Sequence, residues 1–454
     1  MSPSLSPARL ASKTMPIAAR QNPIMGLFGP FRSDALGLYD RLHREHGDIV
    51  QGRFLNAPVV FVFKPEFVKH ILQDNARNYV KSQFTMNIIR YFSQENVFTS
   101  DGDFWLRQRR LMQPMFHKQR ISGFGNIITR AAQAMLRDWD AKPGAPLQID
   151  KEMSRLTLRV VGQALFSEDL LGDARALGQA FDDGDHYLAY RMRNISPPEW
   201  APTRWNRIAR QARDVAVNKV DAMIAARKRD GHKDDLLSML LEARDDDGAS
   251  MSDIQVRREA QTMIAAGHET TSSALTWTFY LLSQHSHVER ALHDELTRVL
   301  GGRTATMEDM PNLVYTRQVL DEAMRLYPPV WATGRDAIDD DNINGYIVKR
   351  GSGINIPIWS IHRSPQYWTD PLTFKPERFA PDNAAALTKG AYLPFGAGPR
   401  QCIGSLFALT EAVLILATVA QRHSLRLKPG HPVEPDPVLT LNAKFGMPMT
   451  LHAR

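Results

Sequence analysis

The sequence predicts a mainly α protein with a minor β region, organised as one large domain. Three observations carry that reading. From Phe104 to Leu300 the pattern is mostly helical, broken near Pro143-Gly144-Ala145-Pro146, Ser196-Pro197-Pro198 and Asp245-Asp246-Asp247-Gly248. Strand-type sequence is short, from about Phe54 to Phe63. No break reads as a flexible linker, although 454 residues could hold about three average domains.

Taken in order, the first acidic residue is Asp34, and Arg9, Lys13, Arg20, Arg32 and several serines precede it. That composition suits an organellar transit peptide and equally a frayed arm. The expectation is a poorly ordered arm over residues 1–33, a single domain over 34–454, and a cytoplasmic rather than organellar protein. Phe54 to Phe63 reads as two short strands around a turn. Ser252-Asp253-Ile254-Gln255 is a capping box that opens the longest helix, which runs to about Gln284. At 1.5 Å per residue it spans about 45 Å, enough to cross a domain. Its flanks are apolar, but its middle, Gly267-His268-Glu269-Thr270-Thr271-Ser272-Ser273, gathers poor helix formers and a carboxylate. Such a centre predicts a wet, distorted waist; the other reading is a surface helix with a solvated Ser/Thr face. After Pro328 the chain is irregular until a last apolar helix from about Gly404 to Gln421.

Composition narrows the function classes. Apolar residues make up 43% and charged residues 23%, which excludes wholesale disorder and fibrous repeats. Lysine and arginine number 56 against 49 acidic residues, a net charge of +7. So mild an excess suits an acidic protein partner or an anionic surface better than a dedicated nucleic-acid binder, which would cluster its basic residues. No run approaches the roughly 18 apolar residues of a membrane span. His268-Glu269 begins like a zinc-protease motif, but Ser272 stands where the second histidine is required.

Cys402 is the one cysteine, so internal disulfides and Cys-pair zinc sites are excluded. It is an inert thiol, a nucleophile or a lone metal ligand. Its surroundings are Phe395-Gly396-Ala397-Gly398-Pro399-Arg400-Gln401-Cys402-Ile403-Gly404. Glycines let the backbone approach something closely, and a helix starting just after the cysteine points its positive end at the sulfur. Phe395 can exclude water and Arg400 adds a cation. With no histidine beside it to act as a base, the arrangement suits a thiolate metal ligand better than a nucleophile.

This loop resembles the haem-ligand loop of the cytochrome P450 superfamily. Four further motifs resemble that family in the expected order: Trp105-Leu106-Arg107-Gln108-Arg109, Ala266-Gly267-His268-Glu269-Thr270-Thr271, Glu322-Ala323-Met324-Arg325 and Pro376-Glu377-Arg378-Phe379. The resemblance implies the cytochrome P450 fold, with residues 34–454 as its haem domain, haem b as cofactor and Cys402 as its axial thiolate. It implies that Trp105, Arg109, Arg335 and Arg400 serve the haem propionates, beside Phe395. The i,i+3 spacing puts Glu322 and Arg325 on one helix face, where Arg378 could complete a structural charge network. On the opposite side, Gly267 would let the helix open for dioxygen, Thr270 would offer it a hydroxyl, and Glu269 would carry protons from solvent. His268 is read as a bystander.

The expected activity is a monooxygenase that inserts one atom of O2 into a hydrophobic small molecule, of lipid, fatty-acid, terpenoid or steroid type. Electrons are expected from a separate ferredoxin or flavodoxin-type donor with its reductase, and the protein is expected to be a monomer. The rivals are a haem-thiolate peroxygenase or isomerase and a non-catalytic haem or ligand carrier. By position in the family fold, the substrate pocket should be lined from about Phe84 to Phe98, Asp182 to Trp200, Val330 to Thr333, and near Phe445.

Overall fold

The computed structural model describes residues 13–141, 144–170, 174–245 and 247–454, without the side chains of 174–176 and 384. Pro143 and Asp246, named above in two helix breaks, fall outside those residues, as does the N-terminal stretch before Lys13.

Ile49–Phe54 (β1) and Ala57–Val62 (β2) form an antiparallel hairpin that turns at Leu55-Asn56. The first strand starts earlier than the sequence pattern indicates. Gln51-Gly52-Arg53 carries no apolar alternation of its own, yet it pairs with Val60, Val59 and Pro58. Tyr79–Lys81 (β3), Thr333–Ala337 (β4) and Gly353–Ile356 (β5) complete a sheet in the order β1-β2-β5-β4-β3. Its β2–β5 pair is parallel, while the other pairs are antiparallel. The β3–β4 register sets Lys81 opposite Arg335, which matters for the site below.

The N-terminal stretch departs from expectation wherever it is described. Ala18 N–H donates to Gln51 C=O at 2.8 Å, Gln51 N–H donates to Pro16 C=O at 2.8 Å, and Leu27 is buried. Pro16 to Ala18 and Gly26 to Leu27 therefore bond to β1, while Lys13 bonds to Gly345 C=O and Phe28–Ser33 is helical. The backbone groups bonded to β1 complete the open edge of the sheet, which a run of basic residues and serines does not reveal.

The helices that shape the site are Gln83–Ser93 (α1), Gly102–Met112 (α2), Ile149–Phe166 (α3), Ala174–Arg193 (α4), Arg204–Asp230 (α5), Asp253–Gln284 (α6), Val314–Leu326 (α7) and Ser405–Ala420 (α8). Ser252 caps α6 by accepting the Gln255 N–H at 3.2 Å. Trp277 is fully buried, stacks on Tyr327 at 4.0 Å and donates from its indole to Leu441 C=O. α8 is largely apolar and is buried from Thr410 to Ala420, Glu411 included, while Leu406 in its first turn is exposed.

The waist of α6 is helical throughout, against the expected distortion. Its threonine hydroxyls bond back into the helix, Thr270 donating to Ala266 C=O at 2.9 Å and Thr271 to Gly267 C=O, while Ser273 donates to Leu441 C=O. Poor helix formers are accommodated here by turning their side chains onto their own helix. Gly267 also differs from its expected place. A Cβ there would stand 3.0 Å from Val161 of α3, so the missing side chain lets α3 and α6 pack closely.

Candidate active site

Cys402 sits just before α8, with Gly404 as the residue that precedes the first turn. Its N–H donates to Phe395 C=O at 3.0 Å, which closes the loop on itself. Gly396 and Gly398 have φ of +69° and +72°, a region costly for L-residues. At Gly398 a Cβ would lie 1.8 Å from Leu72 C=O. Gly398→Ala should therefore displace the loop, lowering folded yield and cofactor content together; normal values of both would show that the loop absorbs the clash. Phe395 is half-buried beside the sulfur's loop. Cys402 keeps accessible surface, yet protein surrounds its sulfur closely enough that burial pushes the thiol up. The Gly404 N–H, Arg109 and Lys81 pull it back, without reversing the shift. The helix end alone therefore does not give the thiolate expected from the sequence, because desolvation outweighs it.

Around that sulfur the structure gathers more positive charge than it neutralises. Arg400 lies over the Trp105 ring, 3.7 Å from its centre, and pairs with Asp101. Arg109 on α2 donates to Gln401 C=O at 2.8 Å. Arg335 is buried on β4, bonded to Thr333 Oγ1 and Gly334 C=O. Lys81, opposite it on β3, donates to Phe98 C=O at 2.6 Å. Burial, then Arg335 and Arg400, drives the Lys81 ammonium well below the usual lysine range. Burial also brings Arg400 down to about 10, against the pull of Asp101. One guanidinium nitrogen of Arg400, Nη1, is buried without a partner.

A second charge group stands behind the loop. On α7, Arg325 donates to both carboxylate oxygens of Glu322, Nε at 2.7 Å and Nη2 at 2.8 Å. Arg378 Nε reaches Glu322 Oε1 at 3.2 Å. Glu322 and Arg325 have no exposed side-chain surface, and Arg378 has 9%. Arg325 also donates to His362 and Pro371 carbonyls at 2.7 Å each. These carbonyls belong to the irregular stretch that leads to the cysteine loop, so the network ties that stretch to α7.

From Lys81 and Arg335 of the cation group around the Cys402 sulfur a cavity of about 720 Å³ runs to α6. Its walls include Phe84, Met86, Ile89, Phe92 and Phe98, then Leu188 and Met192, then Val330 to Thr333, with Ala265, Ala266, Glu269 and Thr270 of α6. Three of the four expected segments line it. Phe445 does not: it is exposed, and Val438, Leu439 and Thr440 line the cavity instead. Trp200 likewise points to solvent at 81% exposure. Gly267 is not on the wall either. Sequence reasoning passed over the wall from Phe28, Phe31 and Tyr39, and it passed over Lys81 and the Asp101 partner of Arg400, while Asp185 fell within an expected segment without a role of its own. Burial, then the neighbouring Asp185 carboxyl, pushes the Glu269 carboxyl well above the usual carboxylate range. His268 is buried, its Nδ1 bonded to Ile264 C=O at 2.9 Å, and burial lowers its pKa.

A thiol loop, a nest of cations and an apolar chamber with an acid and an alcohol in its wall thus stand in one molecule. Residues 16–449 match the Cytochrome P450 family model. The chain belongs to the cytochrome P450 family. It is 37% identical over 410 residues to Cyclooctatin synthase of Streptomyces melanosporofaciens, covering 88% of this chain and 87% of that one. It is 33% identical over 450 residues to Protein LUTEIN DEFICIENT 5, chloroplastic, of Arabidopsis thaliana, covering 92% and 74%. A third relative, Cyclooctat-9-en-7-ol 5-monooxygenase of Streptomyces melanosporofaciens, is 36% identical over 391 residues, covering 85% and 84%. As a P450, the chain has monooxygenase activity.

The residues present fit the haem that this P450 family carries. Lys81, Arg335 and Arg400 gather about Asp101, Arg109 stands beside Arg400 and Cys402, and Arg400 Nη1 is buried without a partner. A ligand bearing two carboxylates and facing a thiolate supplies the negative charge this nest is short of. A metal bonded to the Cys402 sulfur would likewise offset the burial that raises its pKa. Among the described residues no helix is long and apolar enough to cross a membrane.

Proposed function

We propose that this P450 is a monooxygenase of an apolar small molecule, of lipid, fatty-acid, terpenoid or steroid type. The observation that carries this is the cavity, whose wall of Phe, Met, Ile and Leu side chains meets the Glu269–Thr270 pair of α6. Haem, when bound, supplies the iron at which dioxygen is reduced and one oxygen atom is transferred. Cys402 is its sulfur ligand, and Lys81, Trp105, Arg109, Arg335 and Arg400 hold its carboxylates. The chain's own contribution on the cavity side is to exclude water with aromatic and aliphatic walls and to hold protons at Glu269 and Thr270. Within the substrate range, the relative named for cyclooctat-9-en-7-ol favours a cyclic, unsaturated, terpenoid-like molecule. Electrons come from a separate ferredoxin or flavodoxin-type donor with its reductase, and the net charge of +7 suits an acidic donor.

A panel of terpenoids, steroids and fatty acids, scored by the shift of the haem Soret band on binding, tests the substrate class. Binding confined to polar compounds overturns it. Turnover driven by reductase and ferredoxin, compared with added peroxide, separates the monooxygenase from a peroxygenase.

Thr270→Ala tests the proton side. Thr270 Oγ1 spends its own hydrogen on Ala266 C=O, which leaves its lone pairs toward the cavity side of α6. Substrate binding and reductant consumption should persist in the variant, because neither needs the hydroxyl. Product per reductant should fall several-fold, with the balance appearing as hydrogen peroxide. Peroxide and product measured in parallel decide it; full coupling would make Thr270 a helix-packing residue.

A further inference from the structure

Glu269 on α6 and Asp185 on α4 line the same cavity wall, where the two helices meet through Phe181 and His268, 5.1 Å apart between ring centres, and each carboxyl acts on the other. An acid beside an acid is an unusual pairing, since two carboxylates in such contact repel unless they share a proton. We propose that Asp185 and Glu269 form a carboxyl pair that stores one proton, with Asp185 as the positioning residue that holds Glu269 protonated and reloads it from solvent. The inference rests on the reading of Glu269 and Thr270 given above.

The surroundings favour that state. Glu269 has 14% of its side chain exposed, and the charges that act on it most are Asp185 and then Asp182. His268 Nε2 stands 4.0 Å from Glu269 Oε1, but that ring is kept neutral by burial and supplies no positive charge. The groups that favour an ionised Asp185 are Lys151 and His186. Lys151, in the first turn of α3, is held by Asp182 at 3.0 Å, and the exposed His186 bonds through Nδ1 to Asp182 C=O at 2.7 Å. Both act on Asp185, and burial brings Asp185 up to about 6. At neutral pH the Glu269 O–H therefore donates to the Asp185 carboxylate.

The proton arithmetic follows from this. When Glu269 releases its proton toward Thr270, the pair is left doubly charged within a desolvated wall. That state is relieved when Asp185 takes a proton from water on the His186 and Asp182 side and passes it to Glu269. One proton enters at Asp185 and one leaves at Glu269, and no electrons move.

The test is an infrared pH titration of the haem-loaded, resting protein, in which protonated carboxyl groups give a C=O stretch separate from carboxylates. Glu269→Gln should remove a band present in the wild type at pH 7. Asp185→Asn should keep that band but lower the pH at which it disappears by about one unit or more, because the like charge is gone. Asp182→Asn, which also removes a like charge, should lower the midpoint by less than Asp185→Asn does, because Asp182 acts on Glu269 after Asp185. In turnover, Asp185→Asn should slow product formation with a displaced pH profile, and Asp185→Glu should restore it. A midpoint unmoved by Asp185→Asn overturns the pairing. If Glu269→Gln alters neither the infrared band nor turnover, the reading of Glu269 itself fails. If Glu269→Gln slows turnover while Asp185→Asn leaves rate and band unchanged, only the pairing fails.

Discussion

Alanine at Glu322 should cost about 3–5 kcal/mol of stability, the range for breaking a buried ion pair by removing one partner. Arg325 has no exposed side-chain surface, and two of its three guanidinium nitrogens spend hydrogen bonds on the Glu322 carboxylate. Without Glu322 the positive charge stays buried among the His362, Pro371 and Thr373 carbonyls, which are dipoles and do not neutralise it. Arg378 and the Lys375 N–H lose the same acceptor. A domain holds about 5–15 kcal/mol in total, so the variant sits near the edge of folding. The denaturation midpoint and haem content should fall together, while substrate selectivity among the surviving molecules should not change. Glu322→Gln, which keeps the shape and one acceptor, should lose less. Arg378→Ala should also lose less, since Arg378 makes a single 3.2 Å contact with Glu322 and carries some exposed surface. An unchanged midpoint and haem content in Glu322→Ala would make the network dispensable.

The contrast between these residues and others shows what a sequence can reveal. Glu322 and Arg325 are legible because i,i+3 spacing is itself a statement about geometry. The cap at Ser252 is legible for the same reason, and α6 starts where it indicates, although the Gln255 side chain donates to Glu259 and Glu95 C=O and so leaves the capping box half made. The Lys81–Arg335 pairing has no such mark. It follows from the β3–β4 register, which depends on strands joined only in the folded sheet. Asp185 was named only as part of a pocket segment, because nothing in its spacing aims it at Glu269. The waist of α6 was misjudged for a different reason: composition scores Thr and Ser as helix breakers, but here their hydroxyls bond to the turn above. Gly267 shows the same limit, since a glycine can mark an opening or a close packing, and only Val161 decides which.

Cys402→His should abolish the red-shifted Soret band of the reduced, carbon-monoxide-treated protein, and with it the monooxygenase activity. The band is the signature of a sulfur anion on the haem iron, and Cys402 is the one cysteine in the chain. Imidazole binds as a neutral ligand, so it removes both the sulfur and its negative charge. The site is built around that charge: the Gly404 N–H, Arg109 and Lys81 all favour the anion, against burial that disfavours it. Haem itself should be retained in part. The cations at Lys81, Arg109, Arg335 and Arg400 come from two strands, one helix and the loop, and three of the four lie outside the cysteine loop. The cavity wall on the α6 side does not include Cys402, so compounds that bind the wild type should still bind this variant, by equilibrium dialysis for example. That separation makes the result decisive: a variant that keeps haem and apolar ligands but loses the band assigns the thiolate to Cys402. A band of unchanged position in the variant would place the sulfur ligand outside this chain and remove the basis of the whole site.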